Sequence, residues 1–168
     1  MKIITQLEFN KYVKLMYFLS YRKPVNIIIS LVGILMIAVS VAYYFGFDKY
    51  IKEKPTLQLL FGVYVLVFFP GFLYYQARRS FNTKSRLWER VTYEFTDEKI
   101  DIFGESFSSE IPWDKVYRVE ELKNWILLYQ TKLQANLIPK ESFVDDQLEE
   151  FRKMIRSKGI RNKFKKAE

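Results

Sequence analysis

An α+β membrane protein is predicted, with an N-terminal two-helix transmembrane hairpin ahead of a small antiparallel β-sheet domain closed by a C-terminal helix. Three observations carry this. Two apolar blocks, residues 25–47 and 55–77, contain no Asp, Glu, Lys or Arg. Short stretches of period-two alternation then run from Val91 to Ile138, and a stretch of helical period follows them.

Residues 1–24 form the first segment. Lys2 to Leu7 alternates as a short strand would. From Glu8 the period changes, and Phe9, Tyr12, Val13, Met16 and Tyr17 fall on one helical face with Lys11 and Lys14 set away from it. Arg22-Lys23-Pro24 closes that helix. An amphipathic helix of this kind either lies on the bilayer surface or packs on the soluble domain, and its pattern fits both.

The hairpin occupies residues 25–77. Each block of 23 residues reaches about 34 Å as a helix, enough to cross a hydrocarbon core of about 30 Å. A secretory leader fits poorly, because the first block starts only at Val25, exceeds the usual apolar core of a leader and is followed by aromatics and charge. Tyr43, Tyr44, Tyr50, Tyr74 and Tyr75 lie near the block ends, where aromatic belts occur. Pro70-Gly71 is a place for a bend, and Gly33 and Gly62 are places for close helix approach. With no Asp, Glu, Lys or Arg inside the blocks there is no proton relay, ion site or voltage sensor to propose.

Orientation follows from the flanking cations. Lys11, Lys14, Arg22 and Lys23 precede the first block, and Arg78, Arg79, Lys84, Arg86 and Arg90 follow the second. The connecting loop holds Lys49, Lys52 and Lys54. Four and five against three favours both termini in the cytoplasm. Residues 78–90 read as a basic stalk that continues the second block as helix, with Phe81 and Trp88 interleaved. The candidate lipid-surface contacts are Lys11, Lys14, Arg22, Lys23, Arg78, Arg79, Lys84, Arg86, Trp88 and Arg90.

Residues 91–158 make the soluble domain. Val91, Tyr93 and Phe95 alternate with polar neighbours, as do Ile100 and Ile102, and then Phe107, Ser109 and Ile111. Tyr117 and Val119, the run Trp125 to Tyr129, and Ala135 to Ile138 complete five or six short strands, an antiparallel meander. Gly104 sits in a turn. Ser142 and Asp145 have capping-box spacing before a helix whose stripe is Val144, Leu148, Phe151 and Ile155, and Gly159 suits its end. Glu120-Glu121 and Asp145-Asp146 read as solvated acidic faces. Residues 159–168 read as a disordered basic tail.

The net charge of +8 is layered. Residues 1–90 carry 13 Lys/Arg against 4 Asp/Glu, residues 91–151 carry 6 against 14, and residues 152–168 carry 8 against 1. A nucleic-acid partner wants a basic folded surface, whereas here the folded part is acidic, so none is expected. There is no cysteine and no histidine. Disulfides, thiolate metal sites and the commonest general base are thereby absent, and no phosphate loop or nucleophile elbow takes their place. Neither an enzyme activity nor a cofactor is expected.

One set of residues goes further. Phe95-Thr96-Asp97-Glu98 with Ile100, Glu105-Ser106, Trp113-Asp114-Lys115-Val116, Lys123-Asn124-Trp125 with Leu128-Tyr129, and Ile138-Pro139-Lys140 with Phe143 resemble the C-terminal domain of the YcxB-like family of small bacterial membrane proteins. The likeness covers about residues 91–155, and the hairpin matches in layout. It implies a small sheet capped by a helix, similar to pleckstrin-homology-like folds, in a bacterial inner membrane, and it implies no catalytic residues. Trp113, Tyr129 and Phe143 are expected in the core, and Asp97 and Asn124 in turns.

The resulting expectation is a membrane-anchored cytoplasmic interaction or scaffold module, in contact with membrane lipids and binding a protein partner or a second copy of itself. A membrane-resident immunity protein acting against a toxin and an anionic-lipid-binding module are the alternatives.

Overall fold

The computed structural model describes residues 1–46, 53–83 and 85–164. It divides into two compact units, one made of Met1–Leu7 with Ser85–Glu168 and the other of Glu8–Lys84. The N-terminal segment 1–24 is thus shared between them.

The folded unit begins with β1 (Lys2–Thr5), and its next strand is β2 (Val91–Phe95), followed by β3 (Lys99–Phe103) and β4 (Ser108–Pro112). These four form one antiparallel sheet in the order β1-β2-β3-β4. β1 joins it in the register Ile3↔Tyr93, and the Phe95 N–H donates to the Met1 carbonyl at 2.7 Å. The alternation read from the sequence is the inward face: Ile3, Val91, Tyr93, Phe95, Ile100 and Ile102 are all buried. Gly104 is required at its turn, since a side chain there would run into the Phe107 ring.

A second sheet follows. β5 (Arg118–Glu121), β6 (Trp125–Tyr129) and β7 (Ala135–Pro139) are antiparallel neighbours, and β8 (Asn162–Lys163) runs parallel to β5 on its far side. The expected single meander is therefore two four-stranded sheets. The division falls at Trp113–Lys115, a single 3-10 turn after Pro112 that interrupts pairing. β8 corrects the expected disordered tail as well: Ile160 is buried and the Val119 N–H donates to the Arg161 carbonyl at 2.9 Å. Residues 165–168 of that tail lie outside the described residues.

α6 (Gln147–Ser157) buries Phe151 and Ile155 completely. The Phe151 ring meets Phe95 edge-on at 5.2 Å and Phe143 at 5.6 Å, and Phe95 stacks on Trp113 at 6.3 Å. These contacts put the helix and both sheets around one core. Trp113, expected in the core, is there, with its indole N–H satisfied by the Thr96 carbonyl.

The helix start differs from expectation. Asp145 takes φ 48°, which a helix excludes, so α6 starts two residues later and the Ser142–Asp145 capping box does not form. The Gln147 side chain instead accepts from the Val144 N–H at 3.0 Å, and Val144 is exposed rather than on the buried stripe. Gly159, at φ 66°, ends the helix as expected.

The hairpin unit begins with α1 (Phe9–Tyr21). α2 (Pro24–Tyr44) follows after a two-residue break. Lys23 is extended at φ −76°, ψ 123°, as a residue before proline must be, and Pro24 opens the helix, where its missing N–H is harmless. α3 (Thr56–Val63), a π-helical turn (Tyr64–Phe68) and α4 (Phe69–Thr83) make one continuous 28-residue helix. α2 and this second helix are each long and apolar enough to cross a membrane. Phe47 and residues 48–52, at the end of the first apolar block and in its loop, lie outside the described residues, as does Tyr50 of the expected aromatic belt.

Pro70 has no N–H to offer the Leu66 carbonyl, and the wider π turn sits immediately upstream of it. The Pro70 carbonyl in turn accepts the Tyr17 hydroxyl at 2.6 Å. Where α2 meets α3 the backbones touch. A Cβ on Gly62 would lie 2.8 Å from the Gly33 carbonyl oxygen and 2.6 Å from Ile37 Cγ1, so both glycines serve the approach expected of them. The Ser40 hydroxyl, 3.1 Å from the Pro55 carbonyl and 2.8 Å from that of Met36, lies at the far end of the pair.

The aromatic face of α1 packs antiparallel on α4. Phe9 meets Tyr74 and Phe81, Tyr12 meets Phe81, and Tyr21 meets Phe69. The stalk beyond the second apolar block begins as the helical continuation of α4 and is followed by the short α5 (Ser85–Trp88) of the folded unit.

Candidate functional site

The charged groups divide into those that build the fold and those left at its surface. Glu121 belongs to the first kind. Its position at the end of β5 reads as a solvated acid in the sequence, yet its side chain is fully buried. Arg152 on α6 reaches it through Nη2 at 2.5 Å and Nε at 3.0 Å, and Lys140, just after β7, donates to the same carboxylate. Burial raises the carboxyl pKa, but the hydrogen bonds and charges of Arg152 and Lys140 outweigh it and hold the group below the usual carboxylate range. The same carboxylate raises the Arg152 guanidinium. Committed to two cations, this carboxylate clamps the second sheet to α6 and is no general base at neutral pH.

Glu120 is buried beside it, so the acidic pair is a correction to the solvated reading. The cause is that β5 and β6 are covered on both faces: Leu127 and Leu128, which point to opposite sides, are both completely buried. Asp145 and Asp146 are exposed as expected.

Glu89 is the single acid inside the basic stretch 78–90, and nothing in the sequence marks it. It is buried, and its carboxylate accepts the Ser106 N–H at 3.0 Å and the Ser106 hydroxyl at 2.6 Å. Arg118 lies over the Tyr129 ring at 4.2 Å, and its Nε is the one buried side-chain polar atom without a hydrogen bond among the described residues. Tyr129 is thus half-buried under a cation rather than in the core.

The expected lipid-surface residues fall in both units. Trp88 and Arg90 belong to the folded unit and are exposed. Lys11, Lys14, Arg22, Lys23, Arg78 and Arg79 belong to the hairpin unit, where α1 and α4 hold them. Lys84 and the side chain of Arg86 lie outside what is described. Lys11 pairs with Glu8 at 2.8 Å. Lys14, Lys23, Arg78 and Arg79 are exposed and have no acidic partner among the described residues.

Between α1 and α4 lies an open groove of about 240 Å³. Met16, Leu19, Leu73 and Ala77 supply its apolar wall, Ser20, Gln76 and Ser80 its polar groups, and Lys23 its single charge. Tyr12, which also lines it, hydrogen-bonds the Ser80 side chain, and burial raises its phenol pKa against that bond. Of the sequence-marked cations only Lys23 enters this groove. Nothing in the sequence singles out Ser20, Gln76 and Ser80, although 73, 76, 77 and 80 repeat at helical spacing through the end of the second apolar block.

Comparison with known families finds a YcxB-like protein domain at residues 95–155. That match starts at the last residue of β2 and stops inside α6, so β1, most of β2 and β8 complete the folded unit from outside it. A comparison with curated proteins gives no match.

Proposed function

We propose that this chain is a membrane-anchored interaction module, whose hairpin crosses the bacterial cytoplasmic membrane twice and whose folded unit stands in the cytoplasm to bind a protein partner or a second copy. The observation that carries the reading is the position of the hairpin in the fold. It is inserted between β1 and β2, neighbouring strands of one sheet, so both of its ends return to a single folded unit. A chain that leaves and re-enters one folded body crosses a bilayer an even number of times, which accords with two spans. The excess of Lys and Arg on that side supports the cytoplasm. Two sheets around a core with a C-terminal helix support a pleckstrin-homology-like architecture, a scaffold for binding rather than for chemistry.

A second reading, contact with anionic lipid, is favoured by Lys14, Lys23, Arg78 and Arg79, which have no acidic partner among the described residues. Since the chain has no cysteine, single cysteines introduced at Lys54 and at Glu98 test the topology without background. A membrane-impermeant maleimide is expected to label Lys54→Cys in intact cells and Glu98→Cys only after permeabilisation. Labelling of Glu98→Cys in intact cells overturns the cytoplasmic placement.

A further inference from the structure

We propose that the groove between α1 and α4 seats one anionic phospholipid whose headgroup carries hydroxyls and no amine, with its phosphate on Lys23. The inference rests on the membrane reading and deepens its lipid-binding form.

The groove has the chemistry of an amphiphile site. Its polar groups, Ser20, Gln76 and Ser80, share it with Met16, Leu19 and Leu73. Lys23 immediately precedes Pro24, where the first apolar helix begins, and in a membrane that is headgroup depth. Its ammonium has no acidic partner among the described residues, and the positive end of the α2 dipole starts at the next residue. A phosphodiester is the anion found at that depth.

The rest of the lining selects the headgroup. Among the described residues no carboxylate lines the groove, so the ammonium of an ethanolamine or serine headgroup gains no charged partner from the protein there. A glycerol headgroup needs hydroxyl and amide partners, and these are present. The Ser20 hydroxyl accepts from Asn26 Nδ2 at 3.0 Å and keeps its own proton to donate. The Gln76 amide offers both a donor and an acceptor. The volume equals about eight waters at ~30 Å³ each, room for a headgroup but not for two acyl chains as well. The chains leave past Leu73, toward the apolar part of the second helix.

The test uses the full chain in uncharged micelles, titrated by calorimetry with short-chain phosphatidylglycerol, phosphatidylethanolamine or phosphatidylcholine. One equivalent of phosphatidylglycerol is expected to bind in preference to the other two. Lys23→Gln is expected to weaken it about fivefold, from ~1 kcal/mol per lysine near a lipid surface. Gln76→Leu is expected to weaken it too, with unchanged circular dichroism showing both variants folded. Lys132→Gln, exposed on the folded unit and outside the groove, is expected to leave it unchanged.

Equal binding of phosphatidylethanolamine overturns the proposal. So does a Lys132→Gln loss equal to that of Lys23→Gln, which would show a diffuse charge effect. Glycerol 1-phosphate binding as tightly as the lipid would make the occupant a soluble phosphate and overturn it as well. Alkaline extraction of cell membranes separates the two levels. Release of the chain would refute the membrane reading itself, whereas a retained chain with no phosphatidylglycerol preference refutes only this site.

Discussion

Replacing Ile3 by alanine should destabilise a domain whose sequence mostly begins more than 80 residues later. Ile3 is 1% exposed and lies in β1, opposite Tyr93 of β2 and within the core cluster. Truncation removes three buried carbons, about 2.4 kcal/mol at ~0.8 kcal/mol per methylene, and leaves a cavity besides. The expected loss is about 3 kcal/mol, within the range of about 2–5 kcal/mol for such truncations and a large part of the stability of a small domain. At a urea slope of about 2 kcal/mol per molar, the midpoint falls by roughly 1.5 M. Ile4, the next residue, points outward at 51% exposed, and its replacement by alanine should move stability by no more than about 0.5 kcal/mol. The readout is built in, because Trp88, Trp113 and Trp125, the only tryptophans, all belong to the folded unit. Tryptophan fluorescence of the full chain in micelles therefore follows that unit alone. Equal midpoints for Ile3→Ala and Ile4→Ala would refute β1 as a core strand, and with it the insertion of the hairpin into the sheet.

Two further substitutions probe the other supports of the structure. Glu121→Gln leaves Lys140 and Arg152 facing a neutral amide and should destabilise the folded unit by about 3 kcal/mol at neutral pH. Because the folded state holds the Glu121 carboxyl below its ordinary value, its contribution is full above about pH 4.3 and is lost as the pH falls through the folded-state pKa. Urea midpoints of wild type and variant should therefore converge in acid and separate toward pH 7, and parallel profiles would contradict the clamp. In the hairpin, Gly62→Ala drives a methyl against the Gly33 backbone carbonyl and should lower the thermal midpoint of the helical circular-dichroism signal more than Gly33→Ala, whose tightest contact is the Val65 side chain at 3.1 Å and which meets the Gly62 carbonyl at an ordinary 3.6 Å. The reverse order would show that the helices do not cross at these glycines.

Much of the fold was legible because periodicity reports burial directly. The alternation at Val91, Tyr93 and Phe95 and at Ile100 and Ile102 is the inward face of the first sheet, and Phe151 and Ile155 are the buried side of α6. The signal failed where burial is two-sided. Glu120 and Glu121 carry no mark that separates them from surface acids, since their burial comes from partners up to 31 residues away in sequence. It failed also where one torsion decides, as at Asp145, whose positive φ moved the start of α6 and undid a capping box that spacing alone supports. Of the site, the cations were legible as flanks of apolar blocks, but the groove was not, because it exists only where α1 folds back on α4.

By itself, then, the sequence determined the two apolar helices, the strands, the layered charge and the absence of histidine and cysteine chemistry, all properties of composition and local period. Only the tertiary structure decided that β1 and β2 are neighbours in one sheet with the whole hairpin between them, that β8 closes the second sheet, and that Lys23 shares a groove with Gln76 and Ser80. Each of these is a pairing of residues far apart in sequence. Local period says which side of an element is buried and cannot say what buries it.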